Sequence, residues 1–140
     1  MDGFVYLTVG VPSYSPAVQH FRHLRVWRAA HSCALCIYRI TAHFPREERF
    51  GLTSQLRRAI VSVVANIAEG CGRGTDADAA RHFQIALGSA CEALSLALLA
   101  RDLGFLPGDQ FDALERELGP VRRMLVRLIE RMRPPERRGN

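Results

Sequence analysis

The chain has 140 residues, enough for one domain that buries a hydrophobic core without disulfides or metal ions. Its hydrophobic fraction of 48% and charged fraction of 24% are ordinary for a globular protein and exclude a disordered chain. No apolar run approaches the roughly 20 residues that span a bilayer, and the N-terminus lacks the pattern of a signal peptide. We therefore expect a cytoplasmic protein that does not bind membranes.

Two segments are predicted at the N-terminal end. Residues 1–16 follow no helical period and are predicted to form an irregular extension or a short strand. A first helix is predicted from about Ala17 to Ala42, and it ends at His43-Phe44-Pro45 because the residue before a proline is pushed out of helical geometry. Its apolar residues divide between two sides, Leu24, Trp27, Ala34, Leu35 and Tyr38 on one and Val26, Ala30, Cys33, Ile37 and Ile40 on the other.

The second predicted helix, from Glu47 or Leu52 to Glu69, is apolar around most of its circumference. One apolar arc contains Leu52, Leu56, Ala59, Ile60, Val63 and Ile67, and a second contains Val61, Val64, Ala65 and Ala68. Only a narrow stripe is polar, namely Gln55, Arg58, Ser62, Asn66 and Glu69. This stripe either forms a buried network that fixes helix register or lines a functional groove. Two apolar arcs predict a central helix of a bundle or a helix that also packs against another subunit.

The third helix is predicted to begin after the glycine-rich segment 70–74. A glycine at the C-terminal end of the second helix terminates it, and Thr75 caps the third, with Asp78 three residues further on. A phosphate-binding loop is the alternative for this segment, but no strand precedes it and the chain has no lysine. The third helix extends to about Leu103, with an inward seam of Ala80, Phe83, Leu87, Ala90, Leu94, Ala97 and Leu98.

The fourth helix is predicted from about Asp109, with a kink at Gly119-Pro120. Its inward residues are Phe111, Leu114, Leu118, Val121, Leu125, Leu128 and Met132. Pro134 ends it, and residues 134–140 are predicted to be a disordered basic tail. Four helices with short connections predict an all-α fold, an antiparallel up-down-up-down four-helix bundle over residues 17–133.

No group of residues has the spacing of a catalytic or metal site. Cys33 and Cys36 form a C-x-x-C near His31, but this pair lies in mid-helix without a second ligand pair, as expected for small buried side chains. Glu69 and Glu92 lack the Glu-x-x-His partners of a di-metal centre. We therefore expect no cofactor, no metal and no enzymatic activity.

The arginines are the remaining candidate site. All 19 basic residues are arginine, and residues 116–140 contain eight of them against three acids, whereas residues 1–115 are neutral. Arginine binds phosphate with a bidentate fork, so a basic face predicts a nucleic-acid site, although a solvated surface is the alternative. The predicted contacts are Arg116, Arg122, Arg123, Arg127 and Arg131 of the fourth helix, with Arg57, Arg58 and Arg73 as weaker candidates.

Several separate motifs resemble those of one protein family. They include Leu24 to Trp27, Phe44-Pro45, Phe50-Gly51-Leu52, the run Gln55 to Ala59, Asn66 to Gly70 and Ala86 to Glu92. In this order they resemble the four-helix-bundle proteins encoded in 23S rRNA intervening sequences, from about Phe21 to Met132. The extension 1–16 and Gly119-Pro120 depart from the pattern.

The resemblance implies a bundle that assembles into a homopentameric ring or barrel. The chain is also similar to the accessory variability determinant (Avd) proteins of diversity-generating retroelements, basic pentamers that bind a reverse transcriptase and its template RNA. The resulting hypothesis is a non-enzymatic homo-oligomer that binds RNA, as an adaptor for a reverse transcriptase. The alternative is a structural or protein-interaction module without a nucleic-acid role.

Overall fold

The computed structural model describes residues 21–134, which form four α-helices and contain no strand. The helices are α1 (Arg25–Thr41), α2 (Leu52–Cys71), α3 (Asp76–Asp102) and α4 (Gly108–Met132). Short 3-10 turns at Phe21–His23 and Arg46–Glu48 precede α1 and α2. The all-α prediction is confirmed for these residues. The predicted extension 1–16 and residues 135–140 of the predicted tail lie outside them.

The four helices surround one hydrophobic core. Each helix packs against the next in the chain, and α1 packs against α4. Every helix contributes fully buried side chains to this core, the largest being Phe83, Ile37, Leu56, Ile60, Ile67, Leu114, Leu118 and Leu125. The fold is therefore a four-helix bundle.

The first helix is shorter than predicted at its N-terminal end. It begins at Arg25, because Phe21–His23 forms a separate 3-10 turn and Leu24, just before the helix, has extended backbone geometry. Residues 17–20 of the predicted helix lie outside the described residues. Of its two apolar sides, the one that faces the core contains Val26, Ala30, Cys33 and Ile37. Leu35 and Tyr38, on the other predicted side, are exposed.

The second helix begins at Leu52, the later of its two predicted starts, where the Glu48 carboxylate accepts a hydrogen bond from the Leu52 N–H at 2.9 Å. It ends at Cys71 and is capped by Gly72 in a right-handed conformation, so the expected glycine cap does not take a left-handed form. Gly70 lies inside the helix for a packing reason: a Cβ there would lie 2.7 Å from the Phe83 ring.

The second apolar arc of α2 is not covered by the other helices. The first arc is buried throughout, as predicted. In the second arc, however, Val61 and Ala65 are exposed and Val64 and Ala68 are only half-buried. The helix is thus central to the bundle on one side and retains apolar surface on the other.

The predicted seam of the third helix is confirmed in part: Phe83, Ala90 and Ala97 are buried, whereas Ala80 is half-buried. The fully buried positions of α3 include Ala79, Ala86, Ala93 and Ala100 at intervals of seven residues, which we call the alanine seam. The predicted inward residues Leu87 and Leu94 are only half-buried, and Leu98 is exposed. Small side chains allow helices to approach closely, which displaces the leucines to the flanks of α3. The predicted cap is confirmed, since Thr75 Oγ1 accepts a hydrogen bond from the Asp78 N–H at 3.2 Å.

By length and composition α3 is the one helix among residues 21–134 that qualifies as a membrane span. A core helix of a bundle meets the same criterion, and α3 packs against both α2 and α4.

The fourth helix is continuous through Pro120, so Gly119-Pro120 does not break it, while the kink expected there stays a prediction. A proline normally disfavours helical geometry in the preceding residue by contact with its Cβ, and Gly119 has none. The seven predicted inward residues include five buried ones, while Leu128 and Met132 are half-buried and Ile129 is buried in addition.

Candidate nucleic-acid interface

Four of the predicted arginines share the outer face of α4. Arg116, Arg123, Arg127 and Arg131 are all exposed, and we call them the α4 stripe. They are separated by seven, four and four residues, which keeps them on one side of a continuous helix. The buried residues of α4, such as Leu118 and Leu125, alternate with them on the opposite side.

Three arginines of the stripe, Arg116, Arg123 and Arg127, form no ion pair with another described residue. The two ion pairs formed within residues 21–134 are Arg73 with Glu69 and Arg101 with Asp102, both at the surface. Neither pair involves a residue of the stripe, and Arg116, Arg123 and Arg127 make no hydrogen bond to another described residue. Arg116, Arg123 and Arg127 therefore present positive charge to solvent.

Arg122 lies apart from the stripe. It is half-buried, and its Nε is buried without a hydrogen-bond partner among the described residues. It lines a groove between α3 and α4 together with Leu94, Phe111 and Glu115. The sequence assigned Arg122 to the same contact as Arg123, but one helical step turns it towards α3.

The three weaker candidates have three different environments. Arg57 is held within the fold: its Nε donates to Thr41 Oγ1 at 2.8 Å, and its guanidinium lies 4.6 Å from the Tyr38 ring centroid. Arg73 pairs with Glu69 one helical turn earlier. Arg58 is exposed on the outer side of α2.

A second basic surface lies where α1 meets the start of α2, and the sequence did not predict it. We call it the α1–α2 groove, which has a volume of about 630 Å³. It is lined by Tyr38, Arg49, Phe50, Thr53, Ser54, Arg57, Arg58, Val61 and Ser62. The groove combines three arginines with two aromatic rings and has no acidic lining residue. The missed signal is the Arg49-Phe50 pair, an arginine beside an aromatic residue in the turn before α2.

Two residues of the polar stripe of α2 bind α3, and the others do not. Ser62 and Asn66 form a network with α3: the Ser62 and Ser89 hydroxyls are 2.8 Å apart, and His82 Nδ1 lies 3.1 Å from Asn66 Oδ1. Asn66 Nδ2 also donates to the Ser62 carbonyl at 2.9 Å. This network fixes the register of α2 against α3, which is the first of the two readings of the stripe. Arg58 and Glu69 take no part in it.

The C-x-x-C cysteines occupy the interior side of α1. Burial, followed by the charge of Glu117 and by Cys36, raises the pKa of the Cys33 thiol to about 12. Burial also raises the pKa of Cys36 above its usual value. Metal binding and thiol exchange need the thiolate, so a raised pKa opposes both. Within residues 21–134, no three His, Cys, Asp or Glu side chains are placed to hold a metal ion.

Comparison with known proteins identifies the fold and a family. The sequence pattern of the 23S rRNA-intervening sequence protein family matches residues 22–127, more than half of the chain. A crystal structure from Bacteroides thetaiotaomicron, described as a protein of unknown function from the S23 ribosomal protein family, is similar with a TM-score of 0.70. The two are 21% identical, and the match covers 75% of this chain and 98% of the other. No curated protein matches.

Proposed function

Since the chain belongs to the 23S rRNA-intervening sequence protein family, we propose that it is a non-enzymatic helical bundle that binds RNA through the α4 stripe. The observation that carries this proposal is the row of exposed arginines along one unbroken helix, of which Arg116, Arg123 and Arg127 form no ion pair with a described residue.

The spacing of the stripe suits a phosphate backbone. Arg123 and Arg127 are about 6 Å apart along the helix axis, and the stripe from Arg116 to Arg131 extends over about 22 Å. Each guanidinium offers a planar fork that matches two phosphate oxygens. Several such contacts release counterions from RNA, so binding weakens steeply as salt increases.

We further propose that the helices run up-down-up-down and that the bundle forms a homopentameric ring or barrel. Pairwise packing of consecutive helices and of α1 with α4 supports the topology. The uncovered arc of α2 and the exposed Ile85 and Leu99 of α3 support burial against another copy. Five copies would multiply the stripe and raise avidity without new contacts.

The proposed role is that of an accessory adaptor for a reverse transcriptase, as in the similar Avd proteins. The competing function is a structural or protein-interaction module in which the stripe only solvates the surface. The apolar surface on α2 and α3 favours a protein contact in either case. RNA binding by the stripe separates the two functions.

The test is a salt titration of RNA binding by the intact protein. We expect affinity to fall linearly with salt on logarithmic axes, and Arg123→Glu with Arg127→Glu to lower the slope by about two. The matched control, Arg28→Glu with Arg39→Glu, changes the same charge at exposed positions of α1. The α4 site is contradicted if RNA affinity does not change with salt, or if the control variant loses as much affinity as Arg123→Glu with Arg127→Glu.

Light scattering tests the assembly. We expect one oligomeric mass for the wild type and a smaller mass for Ile85→Asp with Leu99→Asp, because a buried unpaired charge opposes association. Val126→Asp, at an exposed apolar position of α4, is the matched control and should keep the mass. A wild-type protein that is a folded monomer contradicts the proposal.

A further inference from the structure

We propose that the α1–α2 groove binds an unpaired segment of RNA, with a base stacked on Phe50 and neighbouring phosphates on Arg49 and Arg58. This inference rests on the proposed function, because it takes RNA as the ligand, but the site lies on different helices from the α4 stripe. It specifies that the recognised RNA includes single-stranded nucleotides.

The exposed ring of Phe50 is the first observation. Phe50 is 87% exposed, which makes it the most exposed of the large hydrophobic residues in residues 21–134. It lies in the turn between Arg46–Glu48 and α2, and no core contact accounts for it. A solvated aromatic ring is a platform for a base, and such stacking does not depend on base identity.

The arrangement of the arginines is the second observation. The Arg49 guanidinium lies 5.1 Å from the Phe50 ring centroid, so a cation is already beside the platform. Arg57 is anchored by Thr41 and by the backbone carbonyl of Tyr38, with its Nη2 donating to that carbonyl at 3.3 Å. Arg58 is exposed at the same groove. One arginine is therefore held beside the Phe50 ring, and two more line the same groove.

The charge balance favours RNA over a second protein surface. None of the groove's lining residues is acidic. The neighbouring Glu48 carboxylate is directed to the Leu52 N–H at the start of α2. A protein that covered the groove would desolvate three arginines without a carboxylate from this chain, whereas a phosphate backbone supplies the opposite charge itself.

The shape of the groove favours single strands over duplex. Its volume of about 630 Å³ is in the range of small-ligand sites and suits a few nucleotides. A base can stack on Phe50 only when its own face is free, and the bases of a duplex are already stacked on each other. Duplex RNA can still bind the α4 stripe through its phosphates.

The experiment compares Phe50→Leu with wild type on two probes, a single-stranded oligouridylate and a duplex RNA with the same number of phosphates. Leucine keeps the apolar character but removes the ring. We expect affinity for oligouridylate to fall about tenfold and affinity for duplex to change less than twofold. The salt slope should be unchanged, because no phosphate contact is lost. Phe50→Trp should restore the wild-type affinity.

Two controls accompany these variants. Leu103→Ala removes another exposed apolar side chain, in the turn after α3, and should leave both affinities unchanged. Arg58→Gln should lower the salt slope on oligouridylate by about one. Phe50→Leu should melt at the wild-type temperature, since the side chain is exposed.

Three outcomes overturn the inference. Equal losses on both probes, or none on either, mean that Phe50 does not stack a base, while the α4 proposal stands on duplex binding. A smaller oligomer for Phe50→Leu in light scattering means that the groove is an interface between copies. A wild-type protein that binds neither probe overturns this inference and the proposed function together.

Discussion

The α4 stripe and the α1–α2 groove both present arginines, but their side chains are held differently. Arg116, Arg123 and Arg127 extend from a helix surface and make no hydrogen bond to another described residue. In the groove, Arg57 is fixed by two acceptors, and both Arg49 and Arg57 lie over aromatic rings. The stripe offers charge along a line, whereas the groove offers charge and ring surface in a fixed arrangement. The difference predicts that the stripe supplies salt-sensitive affinity and that the groove selects unpaired RNA.

The largest expected effect comes from disabling both surfaces. A variant with Phe50→Leu, Arg123→Glu and Arg127→Glu should bind oligouridylate about a thousandfold more weakly than wild type. This estimate combines about a hundredfold from the stripe with about tenfold from the groove, because independent sites add in free energy. Fluorescence anisotropy at fixed salt measures it. If the triple variant binds as well as Arg123→Glu with Arg127→Glu, the groove contributes nothing.

The groove and the stripe should also differ in how much their arginines contribute to the stability of the fold. Arg57→Ala should lower the free energy of unfolding by about 2 kcal/mol, because it removes two hydrogen bonds and a cation–π contact between α2 and α1. Arg127→Ala, in the stripe, should change it by less than about 0.5 kcal/mol. Urea unfolding followed by circular dichroism measures both. Equal effects would show that Arg57 is as loosely held as the stripe.

Pro120 lies within the helix that carries the stripe. Pro120→Ala should raise the free energy of unfolding by about 1 kcal/mol, since alanine restores a helical hydrogen bond to the Arg116 carbonyl. RNA affinity should change less than twofold, because the register of Arg116 and Arg123 is already continuous. Thermal melting and anisotropy measure the two effects. A large gain or loss of affinity would mean that Pro120 sets the geometry of the stripe.

Substitution of Arg122 has the smallest expected effect on RNA affinity, because Arg122 lies outside the α4 stripe. Arg122→Met should leave RNA affinity within about twofold and should not destabilise the fold, since its Nε is buried without a partner. The matched Arg123→Met should weaken binding several-fold and lower the salt slope by about one. Anisotropy at two salt concentrations measures both. An equal loss in the two variants would place Arg122 back in the site.

The structural features that could be predicted from the sequence are those set by helical periodicity and by capping residues close in the chain. The buried arc of α2, the Thr75 cap and the shared face of the α4 stripe follow from positions three, four and seven residues apart. The alanine seam was missed because hydrophobicity favours leucine over alanine, whereas packing distance favours the smaller side chain. The helix continues through Pro120, where the sequence analysis predicted a kink, and Gly119 has no Cβ to conflict with the proline ring.

The groove could not be predicted from any one segment. It joins Tyr38 of α1, Phe50 of a turn and Arg57 of α2, and their meeting depends on how α1 lies across α2. The hydrogen bond from Arg57 to Thr41 spans 16 residues of sequence, beyond the reach of helical periodicity. Arg57 was predicted as a weaker candidate for phosphate contact, since the sequence does not show that its donors bind Thr41 and Tyr38 inside the fold.

The alanine seam of α3 sets a limit on how this chain can vary. Its four alanines, Ala79, Ala86, Ala93 and Ala100, have no exposed surface. A larger side chain at any of these positions would therefore clash with a neighbouring helix. The small size of these four side chains thus determines how closely α3 packs against its neighbours. We expect long-diverged relatives to exchange the residues of the α4 stripe and the α1–α2 groove far more freely than these four alanines, which would make the seam a more durable mark of this fold than its charges.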